Sequence, residues 1–172
     1  MIGIILGSKS DLSYIENYLS LFEEFDIPFT FKISSAHRTP EETKNIVKKM
    51  EEKGVKVIIA LAGAAAHLPG VIASFTVLPV IGVPIPSSDL KGMDALLAIV
   101  QMPGGIPVAT TAIGKAGVKN AILYSFAILS TENESLRNKL VKYREKQREK
   151  VLKDSKDTEE NIKTGNVKFF SL

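Results

Sequence analysis

The chain has 172 residues, 45% hydrophobic and 24% charged, a balance that suits one globular domain with a core of its own. It has no cysteine, which excludes disulfides, thiolate metal sites and cysteine nucleophiles and fits a reducing compartment. The net charge of +3 is uneven: residues 1–136 hold 11 basic and 13 acidic side chains, and residues 137–172 hold 11 basic and 6 acidic. The basic excess is mixed with acids and has few aromatics for base stacking, so it reads as a solvated helix face and no nucleic acid is expected.

Residues 2–6 form an apolar run ending at Gly7, the pattern of a buried strand with no basic lead, so no secretory leader is expected. After Ser8, Lys9, Ser10 and Asp11, a helix is expected from Leu12, Ile15, Leu19, Phe22 and Phe25 at a period near 3.6. Residues 29–33 form a second strand, followed by Ser34, Ser35, Ala36, His37 and Arg38. Thr39, Pro40 and Glu42 mark an N-cap, N1 and N3, opening a helix that runs to about Lys53 and closes at Gly54.

Residues 55–62 are apolar throughout, as in a parallel strand covered on both faces. The longest apolar stretch, 57–66, is too short to span a bilayer, so the expectation is a soluble cytoplasmic protein without membrane contact. Gly63 to His67 leads to a short helix from about Pro69. A fourth strand is expected over 78–83, a helix over 93–102 and a fifth strand over 106–113. A helix over 116–130 is apolar nearly all round, which calls for cover from another subunit. The last helix, 134–153, carries a narrow stripe of Leu136, Leu140, Tyr143, Val151 and Leu152 and reads as a docking arm. A loose polar tail over 154–172 is expected to follow a single catalytic domain over 1–153. Alternating strands and helices give an α/β domain: three αβα layers around a five-stranded parallel sheet, doubly wound.

In such sheets ligands bind beyond the C-terminal strand ends, which singles out the segments after strands one, two and three. In the first, Ser8 and Ser10 offer hydroxyls at a helix start that suits phosphate, and Asp11 can accept bonds from sugar hydroxyls. Capping by Ser10, with Asp11 favouring the helix dipole, accounts for the same residues. In the second, Arg38 offers a planar fork for phosphate, and His37 carries the side chain suited to proton transfer near neutrality. A surface charge and a histidine capping a carbonyl are the alternatives. In the third, Gly63, Ala64 and Ala65 let backbone approach a ligand, and successive amides can hold a carboxylate. His67 there is the second of only two histidines. Two histidines without a carboxylate cluster make a poor metal site, so no metal is expected. Dinucleotide, P-loop and nucleophile-elbow motifs are all missing.

The segments GSKSD, SSAHRTPEE, AHLPG and PVIGVPIPSSDLKGMDALLAIVQMPGGIPVATTAIGKAG together resemble the N5-carboxyaminoimidazole ribonucleotide mutase family of purine biosynthesis, over about residues 2–129. The resemblance implies a flavodoxin-like fold, a homo-octamer, and no cofactor or metal. It implies a nucleotide substrate whose carboxylate moves from the exocyclic N5 to C4 of the imidazole. By motif position, Ser8, Ser10, Asp11, Ser35 and Arg38 would hold the ribose 5-phosphate part, and His37 would be the acid and base. Gly63, Ala64, Ala65 and His67 would line the pocket for the imidazole and the carboxylate. Ala64 stands where the family more often has glycine, and Leu61 where a small residue is common; both read as packing variations. The alternative is the related carboxylase, which adds CO2 directly to aminoimidazole ribonucleotide. It resembles this chain in its first two motifs but has a GRSN-like third loop without a histidine.

Overall fold

The computed structural model describes residues 1–163. The chain divides after Leu129 into two compact units.

The first unit is built on five parallel strands in the order β2-β1-β3-β4-β5. β1 (Ile2–Leu6) and β3 (Val57–Gly63) pair at the centre, and their uninterrupted apolar runs are buried because helices cover both faces. β2 (Phe29–Ile33) is an edge strand and mixes Thr30 and Lys32 with apolar residues. β4 (Val80–Ile85) lies beyond β3, and β5 (Ala109–Thr110) closes the far edge. From β1 the chain steps out to β2, then returns across β1 to β3 and continues outward. That reversal opens a crevice at the C-terminal ends of β1 and β3. This is the expected flavodoxin-like αβα arrangement.

One face of the sheet packs Ile5, Ile58 and Ala60 against α3 (Pro40–Glu52), α4 (Leu68–Ala73) and α5 (Met93–Val100) through Ile46, Val47, Ile72 and Ile99. On the helix pair α2 (Ser20–Phe25) and α6 (Lys115–Leu129), Phe126 is fully buried. Its ring meets Phe22 edge-on at 5.3 Å and Phe25 at 5.0 Å. Burial of each such side chain contributes about 1.5–3 kcal/mol, so the two faces anchor the sheet whose edge carries the loops below.

Several elements differ from expectation. The single helix expected over residues 12–25 is instead α1 (Leu12–Ile15), a 3-10 turn (Glu16–Tyr18) and α2, and the loop before it holds another 3-10 turn (Lys9–Asp11). Asp26 ends α2 in the left-handed conformation at φ 57°. β3 and β4 both run about two residues later than expected, and Pro84 lies inside β4 opposite Ala62. Pro84 is tolerated because β5 pairs only with Ile81 and Gly82, so no ladder donor is needed at position 84. β5 is reduced to two residues by the missing N–H of Pro107 and the turn at Gly104 and Gly105 before it. α6 buries one face, including Val118, Ala121, Ile122 and Phe126, within its own unit, and leaves Tyr124 half exposed. An open apolar stripe lies on α5, where Met93, Leu97 and Val100 are each about half exposed.

The second unit contains α7 (Glu134–Lys163), started by Asn133, whose side-chain oxygen accepts the N–H of Leu136 at 2.9 Å. The helix continues ten residues past the expected end at Lys153, because nothing from 154 to 163 breaks it: the segment has no glycine or proline. The remainder of the expected tail, 164–172, lies outside the described residues. Among the described residues, no helix is long and apolar enough to cross a membrane.

Candidate active site

Beyond the C-terminal ends of β1 and β3 lies a cleft of about 400 Å³. The loop after β1 supplies Ser8, Ser10 and Asp11 to it. Ser8, not Ser10, is the cap: its hydroxyl accepts from the Ser10 N–H at 3.3 Å and the Ser10 hydroxyl at 2.9 Å. Asp11 completes a capping box by accepting the Ser8 N–H at 3.0 Å. Only 4% of Asp11 is exposed. Burial pushes its carboxyl above the usual aspartate range, opposed by the Ser8 N–H and the Ser10 hydroxyl. In a group raised this way the charged form opposes folding: the cost is absent at low pH and complete once pH passes its folded value. Asp11 takes the Ser8 N–H on one carboxyl oxygen and the Ser10 hydroxyl on the other, and it lines the cleft in a position suited to meet hydroxyl groups.

The loop after β2 places Ser35, His37 and Arg38 on the same cleft. Beneath it, buried Ser34 hydrogen-bonds Thr43 of α3 at 2.7 Å and Thr39 at 3.2 Å. Thr39 caps no α3 amide; its hydroxyl accepts the Ser35 N–H at 3.0 Å and donates to the Ser35 carbonyl at 3.1 Å. Pro40 does sit at N1. Ser35 Oγ accepts from the Arg38 N–H at 3.3 Å and from its Nε–H at 3.4 Å, which sets hydroxyl and guanidinium side by side on the cleft.

The loop after β3 contributes Gly63, Ala65 and His67. A Cβ on Gly63 would collide with Ser87, so glycine is required where β3 passes the end of β4. Ala64 is not among the residues lining the cleft, and its φ of 52° lies in the left-handed region. The expected effect of its methyl is therefore backbone strain of about 1–3 kcal/mol. The two histidines meet directly: His37 Nε2 lies 2.8 Å from His67 Nδ1, with the rings 79° apart. Among the described residues, His37 has no carbonyl partner.

Gly7, Ala36, Ala62, Leu68 and Ser87 also line the cleft and were not singled out from sequence. Ser87 follows β4, a strand end set aside in favour of the first three; the Ser87–Ser88 pair after an apolar strand was the available signal. Among the described residues, no three His, Asp or Glu side chains cluster in a way that could hold a metal ion. The cleft thus combines hydroxyl and guanidinium donors, one buried carboxylate, a pair of bonded imidazoles and a wall of small residues.

A family model described as AIR carboxylase matches residues 1–150. The chain belongs to the AIR carboxylase family. Among its relatives, the N5-carboxyaminoimidazole ribonucleotide mutase of Pyrococcus horikoshii is 52% identical over 160 residues, covering 93% of this chain and 89% of that protein. The Bacillus subtilis protein of the same name is 51% identical, covering 90% and 96% respectively. A crystal structure of Treponema denticola PurE superposes with a TM-score of 0.82 at 29% identity, covering 91% of this chain and 96% of that one. In this member of the AIR carboxylase family, the three loops after β1, β2 and β3 carry nearly all the polar groups of the cleft.

Proposed function

We propose that this protein converts N5-carboxyaminoimidazole ribonucleotide to 4-carboxyaminoimidazole ribonucleotide in purine biosynthesis. The observation that carries the reading is the single cleft in which His37 stands beside Ser8, Ser10, Asp11, Ser35 and Arg38. The Ser35–Arg38 donor pair and the Ser8 and Ser10 hydroxyls suit the 5-phosphate, and Asp11 suits the ribose hydroxyls. Gly63, Ala64, Ala65 and His67 form the loop beside the imidazole and the migrating carboxylate, with Ala64 acting through the backbone.

The chemistry asks for one proton-transfer group used twice. His37 donates a proton to N5; the C–N bond of the carbamate breaks, its electron pair stays on N5, and CO2 is released. The electron-rich C4 then attacks CO2, and the C4 proton returns to His37, restoring the aromatic ring with no net proton change. A histidine can do both steps. Holding CO2 against C4 raises its effective concentration, and a wall of small apolar residues limits its escape.

The family description raises the alternative of direct carboxylation of aminoimidazole ribonucleotide. His67 in the third loop, bonded to His37, favours the mutase. Purified protein is expected to turn over N5-carboxyaminoimidazole ribonucleotide without added bicarbonate. Efficient use of aminoimidazole ribonucleotide plus bicarbonate, with the carbamate untouched, would overturn the reading. A homo-octamer, supported by the open apolar stripe on α5, belongs to the same proposal. So do a cytoplasmic location and a catalytic domain spanning 1–153.

A further inference from the structure

The hydrogen bond between the two histidines has a consequence for which atom of His37 does the work. The bond engages His37 Nε2 and His67 Nδ1 at 2.8 Å, a full-strength distance for N–H···N. Among the described residues His37 Nδ1 has no hydrogen-bond partner, and the His37 ring reaches the cleft. One proton fits between the bonded nitrogens, so one ring donates and the other accepts, and that choice fixes the tautomer of both.

We propose that His67 is a positioning residue whose Nδ1 acts as a standing acceptor, keeping the proton on His37 Nε2 and leaving His37 Nδ1 as the nitrogen that exchanges protons with substrate. The inference rests on the acid–base reading of His37. In the protonated form, His37 carries N–H at both nitrogens and Nε2–H points to His67. After Nδ1 gives its proton to N5, Nε2–H is still bonded to His67. Nδ1 then takes the proton from C4 and the starting form returns. His67 stays neutral, with its own proton on Nε2, through both halves of the cycle. The opposite assignment, with His67 Nδ1 donating, would put the proton of neutral His37 on Nδ1 and leave that nitrogen unable to accept from C4. The arrangement follows the logic by which an acceptor behind a catalytic histidine selects its tautomer.

Only two histidines are present in the sequence, so nitrogen NMR of ring-labelled histidine in the untagged full-length protein reports both. The expected result for neutral His37 is the Nε2–H tautomer, with His67 Nδ1 as acceptor. His67→Phe is expected to mix the His37 tautomers and to lower kcat about tenfold to a hundredfold, part of the 10²–10⁴ a positioned acid–base group supplies. KM should change much less. His67→Asn, whose amide oxygen can take the place of Nδ1, should restore the tautomer and most of the lost kcat. A neutral His37 protonated on Nδ1 in the unsubstituted protein would overturn the proposal. So would an unchanged tautomer in His67→Phe, or equal losses of kcat in the Phe and Asn variants. Because the tautomer is read without turnover, failure of the mutase reading would appear separately, as absence of activity in the unsubstituted protein.

Discussion

The loops after β2 and β3 each deliver one histidine to the same cleft, but they are held in opposite ways. The second loop is pinned by side chains: Ser34, Ser35, Thr39 and Thr43 form a lattice of hydroxyl bonds beneath His37 and Arg38. The third has almost no side chains to pin. It is shaped by tight backbone turns, with the Ala66 N–H donating to the Ala64 carbonyl at 2.8 Å and the His67 N–H to that of Ala65 at 2.7 Å. It also stores strain at Ala64. The difference matches the work proposed for each. The second loop presents charged and titrating groups, which need firm orientation. The third must come close to a small reacting fragment, where bulk would be in the way.

The largest expected effect falls on the second loop. His37→Asn should lower kcat by about 10²–10⁴, the contribution of a positioned proton-transfer group, while nucleotide still binds. Steady-state kinetics with a binding measurement checks this, and near-normal turnover would remove His37 from the chemistry. Arg38→Ala should raise KM about tenfold to a hundredfold, from loss of a charge-assisted contact; an unchanged KM would contradict its phosphate role. Thr43→Val should cost about 1–3 kcal/mol of stability in denaturant melts, since it breaks a buried bond to Ser34. No loss would mean the hydroxyl lattice is not what pins the loop. On the third loop the sign reverses: Ala64→Gly should raise stability by about 1 kcal/mol, by relieving a left-handed alanine. A drop would show that the strain is offset elsewhere. Smallest of all, removal of residues 155–172 should leave turnover unchanged, since the cleft residues all precede Met93.

Much of this contrast was legible in the residues. The alternation of apolar strands with periodic helices carried the layered parallel sheet, and the polar segments after the first three strands carried the cleft. The break-up of the first helix was not legible, because its apolar period, with Ile15 and Leu19 on either side, carries on across the 3-10 turn at Glu16–Tyr18. The reduction of β5 was hidden too: Pro107 and the neighbouring glycines act through hydrogen bonds, while the apolar pattern still reads as a strand. α7 outlasted its apolar stripe because Glu, Lys and Arg favour helix without burial. Ser87 escaped notice since its place depends on β4 lying next to β3, a neighbour relation that exists only in the fold. The meeting of the two histidines belongs to the same class, since they stand thirty positions apart in the chain.

On the proposed mechanism the two loops enclose one complete cycle, in which the released CO2 is captured by C4 before it leaves. Substrate labelled in the carbamate carbon, turned over in unlabelled bicarbonate, tests it most directly. The C4 carboxylate of the product is expected to keep the label. A product carboxylate equilibrated with the unlabelled pool would contradict it.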